Sequence, residues 1–157
     1  MNKITPFLWF DGQAEEAMNF YVSIFKNSHI REVLRYGEAG PGEPGSVMTA
    51  SFTLDGQEFT ALNGGPQYQF TPAVSFAVQC ETQQEVDELW EKLTAGGQEV
   101  ACGWLTDKFG LSWQIVPTVL IEYLQDQDAE KATRVAEAMM QMIKLDIAKL
   151  KQAYEQA

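Results

Sequence analysis

Two stretches decide the fold: residues 13–25, QAEEAMNFYVSIF, and residues 82–94, TQQEVDELWEKLT. In the first, Ala14, Ala17, Met18, Tyr21, Ile24 and Phe25 recur at intervals of three and four, while Glu15, Glu16 and Asn19 stand off that stripe. This is the period of an amphipathic helix. In the second, Val86, Leu89, Trp90 and Leu93 make the same stripe, and Ala17, Phe20, Tyr21 and Ile24 superpose on them at one constant spacing. Thr5-Pro6, ahead of the first helix, falls nearly as well on Thr71-Pro72, ahead of the second. A chain that repeats in this way is built from two copies of one supersecondary unit.

The flanks supply the rest of each unit. Before the first helix, KITPFLWF (3–10) reads as a strand ended by the turn signal Asp11-Gly12. After it, HIREVLRY (29–36) reads as an exposed strand, EAGPGEPG (38–45) as a loop, and SVMTASFTLDGQEFTALN (46–63) as a hairpin around Asp55-Gly56. Before the second helix, PAVSFAVQC (72–80) reads as a strand, with Thr82 and Glu85 forming a capping box. Gly96-Gly97 then supplies a left-handed C-terminal cap, and QEVACGWLTD (98–107) and LSWQIVP (111–117) read as strands divided by a turn at Lys108, Phe109 and Gly110. Beyond Pro117 the period is helical throughout. Helices are expected over 118–125, over 128–143 with Ala132, Val135, Ala136, Met139 and Ile143 on one face, and over 146–156. The reading is α+β: two βαβββ modules, about 1–66 and 67–117, forming one domain, with a helical appendage over 118–157.

Composition narrows the function classes. With 45% hydrophobic and 21% charged residues, the chain of 157 can bury one sizeable core. A net charge of -11 repels phosphate backbones and anionic headgroups, so nucleic acid and membrane surfaces are not expected partners. No apolar run approaches the roughly 20 residues of a bilayer span, and the first residues lack a signal-peptide core, so the expected location is cytoplasmic. Cys80 and Cys102 show neither a CxxC spacing nor a disulfide framework, as in a reducing compartment.

On PFLWFDGQAEEAMNFYVSIF, ALNGGP, FTPAVSFAV, CGWLTDKFGLSWQI and the AMMQM-KLDIA tail, the chain resembles the PhnB-like branch of the vicinal oxygen chelate superfamily (glyoxalase, bleomycin resistance protein, dioxygenase). The resemblance implies a curved mixed sheet around a cavity, and a homodimer. Members of the branch are often labelled 3-demethylubiquinone 3-methyltransferase-like, but no strand, Gly-rich turn and helix of the kind that seats S-adenosylmethionine occurs here. The superfamily's divalent-metal positions, occupied elsewhere by His and Glu, fall on Pro6, near Thr60, on Ser75 and on Gln114. Proline cannot ligate, and neutral oxygen donors do not replace imidazole and carboxylate, so neither a metal nor another cofactor is expected.

Strand alternation then assigns side chains to the cavity. Setting the parity by Pro6 places Leu8 and Phe10 in it and Trp9 against the helix. Ser75 and Ala77 share the cavity face, as do Ser112, Gln114 and Val116, with Trp113 and Ile115 behind. Asn63 is read as either bonding the Gly64-Gly65 turn or pointing into the cavity mouth, and Trp104 as roofing the cavity or filling the core. Cys102 is a cavity candidate and a possible nucleophile, against the simpler reading of a buried inert thiol. Cys80 is read as inert, and Asp107 and Lys108 as a solvated turn pair. The candidate ligand-binding residues are thus Leu8, Phe10, Asn63, Ser75, Cys102, Trp104 and Gln114. The expected function is metal-free binding of a small apolar or aromatic molecule. The alternative is an enzyme of unknown reaction on a small metabolite, using Gln114, Ser75 and either Cys102 or Asp107.

Overall fold

The computed structural model describes residues 3–156; Met1, Asn2 and Ala157, outer bounds of the expected modules and tail, lie outside the described residues. The chain divides into two compact units, with the break after Phe70. The first holds β1 (Phe7–Phe10), α1 (Ala14–Ile24), β2 (His29–Arg35), β3 (Val47–Leu54) and β4 (Gln57–Asn63). The second holds β5 (Ser75–Cys80), α2 (Gln83–Thr94), β6 (Gln98–Glu99), β7 (Trp104–Thr106) and β8 (Ser112–Pro117), followed by α3 (Thr118–Leu124), α4 (Ala129–Met140) and α5 (Ile147–Glu155). The βαβββ order occurs twice, as the repeat implied. Each module forms its own four-stranded mixed sheet, ordered β1-β4-β3-β2 and β5-β8-β7-β6. In each, the first and last strands of the module pair in parallel and the others antiparallel.

The local signals explain most of these elements. Asp55 and Gly56 both take positive φ, 46° and 83°, as a type I′ hairpin requires. Val86, Leu89, Trp90 and Leu93 are all buried, so the stripe read from the second helix is its packing face. At its start the Thr82 hydroxyl accepts from the Glu85 amide at 3.1 Å. The Glu85 carboxylate accepts from the Glu81 amide at 3.3 Å, one residue earlier than a standard capping box. In the first unit Tyr21 of α1 is fully buried and stacks on Phe52, which stacks on Phe59.

Two elements depart from expectation. Residues 98–107 form a short hairpin rather than one strand, because Cys102 and Gly103 take φ of 58° and 86° and Val100 donates to the Trp104 carbonyl at 3.0 Å. Helix α4 stops at Met140, so Ile143 lies beyond it and is 54% exposed rather than on the packed stripe. The expected loop over 38–45 is present and wraps the ring of Tyr36, with Gly40 and Gly42 on opposite edges of it, and side chains at either glycine would collide with that ring. The tail buries Leu120, Val135, Leu145 and Leu150 as a small core, with Met139 and Met142 packed against it and Met140 left exposed.

Candidate functional site

Register decides which side chains share a face. In the second unit Phe76 and Leu105 both pair with Trp113, and Val78 pairs with Ile115. Trp113, Leu105 and Ile115 are buried beneath α2, so both tryptophan and isoleucine of SWQIVP belong to the core. The opposite, far face carries Ser75, Ala77, Trp104, Ser112, Gln114 and Val116. There the Gln114 amide Nε2 donates to the Ser75 hydroxyl at 2.9 Å across adjacent parallel strands. Trp104 stands directly opposite Gln114 on β7, and such cross-strand partners have side chains in contact range. Three of the seven expected residues, Ser75, Trp104 and Gln114, are thus brought together. Ser75 and Gln114 bond one another, through one of the two amide hydrogens.

The other four lie elsewhere. Leu8 pairs with Ala61, and Ala61 with Ala50, on the same face as the Phe52–Phe59 stack beneath Tyr21. Leu8 and Phe10, 5% and 3% exposed, therefore face α1 and not the far face, where Phe7 is 62% exposed and Trp9 half-buried. The cause is a one-residue difference in connection length. Three residues join β1 to α1 and two join β5 to α2, so the parity set by Pro6 lands on the wrong side of the strand. Trp9 donates from Nε1 to the Gly65 carbonyl at 2.9 Å, meets Tyr68 edge-on at 4.9 Å, and lies so close over Gly64 that no side chain fits there. On this face Ser51 and Thr60 share a hydrogen bond at 3.1 Å.

Asn63 neither bonds the glycine turn nor enters the far face. Its Oδ1 accepts from the Ala14 amide at 2.9 Å and its Nδ2 donates to the Val47 carbonyl at 3.0 Å, while its own carbonyl accepts from the Tyr36 hydroxyl at 2.8 Å. Gln13 makes no side-chain cap, so Asn63 caps α1 from the end of β4. Cys102 sits at the tip of the β6–β7 turn instead of on a strand, and its amide donates to the Met142 carbonyl. Cys80 is fully buried, and burial, with Glu85 adding to it, pushes its thiol up to about 12. It is an inert thiol.

Asp107 is the residue that sequence reasoning misplaced most. Far from solvated, it is 2% exposed; Oδ1 accepts from the Phe109 and Leu111 amides at 2.9 and 3.1 Å, and Oδ2 from the Trp113 indole at 2.9 Å. An Asp three residues before a glycine, with a tryptophan six residues on, was the available signal. Lys108 instead lies over the Phe109 ring at 5.3 Å. Sequence reading also missed a groove of about 460 Å³ between α2 and the tail, lined by Gln83, Asp87, Met142, Lys144, Asp146 and Lys149. Hydrogen bonds from Lys144 and Gln83 hold the Asp87 carboxyl below the usual range.

The metal positions implied by the resemblance do not fit a divalent ion. Pro6, Thr60, Ser75 and Gln114 supply no imidazole and no carboxylate, and among the described residues no three His, Cys, Asp or Glu side chains cluster to hold one. A family model described as 3-demethylubiquinone-9 3-methyltransferase matches residues 2–116. The chain belongs to that family. Within it, a PhnB protein from Bacillus cereus carrying the same methyltransferase description is 45% identical, with 74% of this chain covering all of that one at a TM-score of 0.69. At the level of fold, protein PA1353 from Pseudomonas aeruginosa is similar at 20% identity, over 74% of this chain and 98% of that one, with a TM-score of 0.64. So is the fosfomycin resistance protein FosX from Listeria monocytogenes, at 18% identity, over 80% and 98%, with a TM-score of 0.58. No curated protein matches the sequence. Family and fold place the chain in the vicinal oxygen chelate superfamily. The family match spans both modules and stops at Val116, so helices α3 to α5 lie beyond it.

Proposed function

We propose that the protein binds a small apolar or aromatic molecule on the far face of its second sheet, with Ser75 and Gln114 as polar anchors and Trp104 as an aromatic wall, and with no metal as intermediary. The observation that supports this most is the Gln114–Ser75 bond. It engages one amide hydrogen, and among the described residues the amide oxygen takes no further bond. A half-buried amide of this kind, set among Ala77, Val116 and Trp104, is what orients a ligand in an otherwise apolar site. A homodimer in the cytoplasm is part of the same reading. Among the described residues no helix is long and apolar enough to cross a membrane.

Gln114→Leu tests it, because the change keeps side-chain volume while removing a donor and an acceptor. Thermal-shift screening of wild type and variant against a metabolite and drug panel, followed by titration of hits, is expected to show a loss of about 1 to 3 kcal/mol of affinity. A ligand that stabilises both proteins equally would remove Gln114 from the site.

The family description supports a second reading, an enzyme acting on a small metabolite at this face. A Rossmann-type S-adenosylmethionine site needs a glycine-rich turn between strand and helix. Here β1 enters α1 through Asp11-Gly12-Gln13 and β5 enters α2 through Glu81-Thr82, and neither fits that cofactor. Calorimetric titration with S-adenosylmethionine is expected to give no heat of binding. Saturable heat would favour the methyl-transfer reading.

A further inference from the structure

Beyond the family match, the segment joining α4 to α5 is bonded to the turn that precedes Trp104. At its tip Cys102 and Gly103 are both in left-handed backbone, a conformation that costs a non-glycine residue about 1 kcal/mol or more. Strain of this kind persists where the surroundings over-determine it. Here the Cys102 and Gly103 amides donate to the carbonyls of Met142 and Ile143, both at 2.8 Å, and the Gly103 carbonyl accepts from the Ile115 amide at 2.8 Å. The turn is therefore gripped by the tail on one side and by β8 on the other. Leu145, fully buried, occupies the space beside Gly103, where a Cβ would stand 2.9 Å from it.

The gripping segment is itself fixed to α2. Gln83 donates from Nε2 to the Leu145 carbonyl at 3.1 Å and accepts at Oε1 from the Ile147 amide at 2.7 Å. Lys144 pairs with Asp87 at 2.8 Å, and Gln83 also donates to Asp87 at 2.9 Å. The residue after the turn is Trp104, opposite Gln114. We propose that Met142–Ile147 is a strap that sets the position of Trp104 and so tunes ligand binding on the far face. Its consequence for binding rests on the site proposed above; the placement of Trp104 does not.

The test uses the full chain labelled with 5-fluorotryptophan, whose four tryptophans are Trp9, Trp90, Trp104 and Trp113, with the Trp104 fluorine signal assigned by Trp104→Phe. In Gln83→Ala the Trp104 signal is expected to shift or split while that of Trp9, in the first unit, stays. Binding of the neutral aromatic probe N-phenyl-1-naphthylamine is expected to weaken roughly 2- to 30-fold, the range for residues that act through a packed network. Arg134→Ala is the control, since that guanidinium holds the end of α5 by the Ala153 and Tyr154 carbonyls at 2.9 and 3.0 Å and, among the described residues, makes no hydrogen bond to the strap. It should loosen the tail and leave Trp104 unmoved. If Gln83→Ala does not fold, Lys144→Ala, which cuts only an exposed ion pair, takes its place. A Trp104 signal that stays put, or moves as much in Arg134→Ala, overturns the strap. A Trp104 signal that moves while probe binding ignores both Gln114→Leu and Trp104→Phe upholds the strap and overturns the site.

Discussion

The two modules share one order of elements and one strand topology, yet they hold themselves together by different polar contacts. In the first, the helix cap comes from Asn63, 49 residues from the amide it serves, and the hairpin turns on the exposed pair Asp55-Gly56. In the second, the cap is local, from Thr82 to Glu85, and the last turn closes on the buried carboxylate of Asp107. A topology therefore does not dictate its polar fastenings. Each module needs its helix start and its last turn satisfied, and any residue that reaches will serve.

The contrast can be broken most forcefully at Asp107. Asp107→Ala strands two amides and an indole N–H in a buried place, and a loss of about 3 kcal/mol or more in urea unfolding is expected. A loss under about 1 kcal/mol would mean that water reaches those donors and that the turn is no more closed than Asp55-Gly56. Asn63→Ala should cost less, about 2 kcal/mol, since it removes one cap and one bond to β3 but leaves the backbone carbonyl that Tyr36 uses. Thr82→Ala, the local counterpart, should cost about 1 kcal/mol. Equal losses at Asn63 and Thr82 would deprive the distant cap of any special weight.

The smallest effect, absent near neutrality, concerns Cys80. Its folded-state pKa is raised from 9.0 to about 12, chiefly by desolvation, so the unfolded chain releases the proton before the folded one does. Its contribution is fully present below pH 9 and lost as the pH rises from 9 to about 12. Melting curves on either side of pH 9 should show a shallower alkaline decline in Cys80→Ala than in wild type. Parallel declines in the two would place the thiol in contact with water.

Much of the fold was legible because its signals are short-range. The stripe of α2, the Asp55-Gly56 turn, the Thr82 cap and the helical character of the tail each arise within a few residues. The far-face trio was legible only in part. Parity within β5 and β8 was read correctly, which brought Ser75 and Gln114 to one face. In β1 the same reasoning put Leu8 and Phe10 on the wrong side. The extra residue among Asp11, Gly12 and Gln13 shifts strand against helix, and composition does not reveal which partner strand sets the register.

By itself, the sequence determined the two βαβββ modules, their helices, the hairpin and the helical tail, since periodicity, caps and turn residues act through neighbours along the chain. Its motifs also carried the family resemblance that the comparisons uphold. Tertiary structure alone decided that Asn63 caps a helix, that Asp107 is buried, that Cys102 bends a turn and that Met142 and Ile143 grip it. The cap at Asn63 and the grip on the Cys102 turn join groups 49 and 40 residues apart, which meet only after the sheets and helices have packed. The short-range bonds of Asp107 end in a buried indole only because Trp113 packs beneath α2.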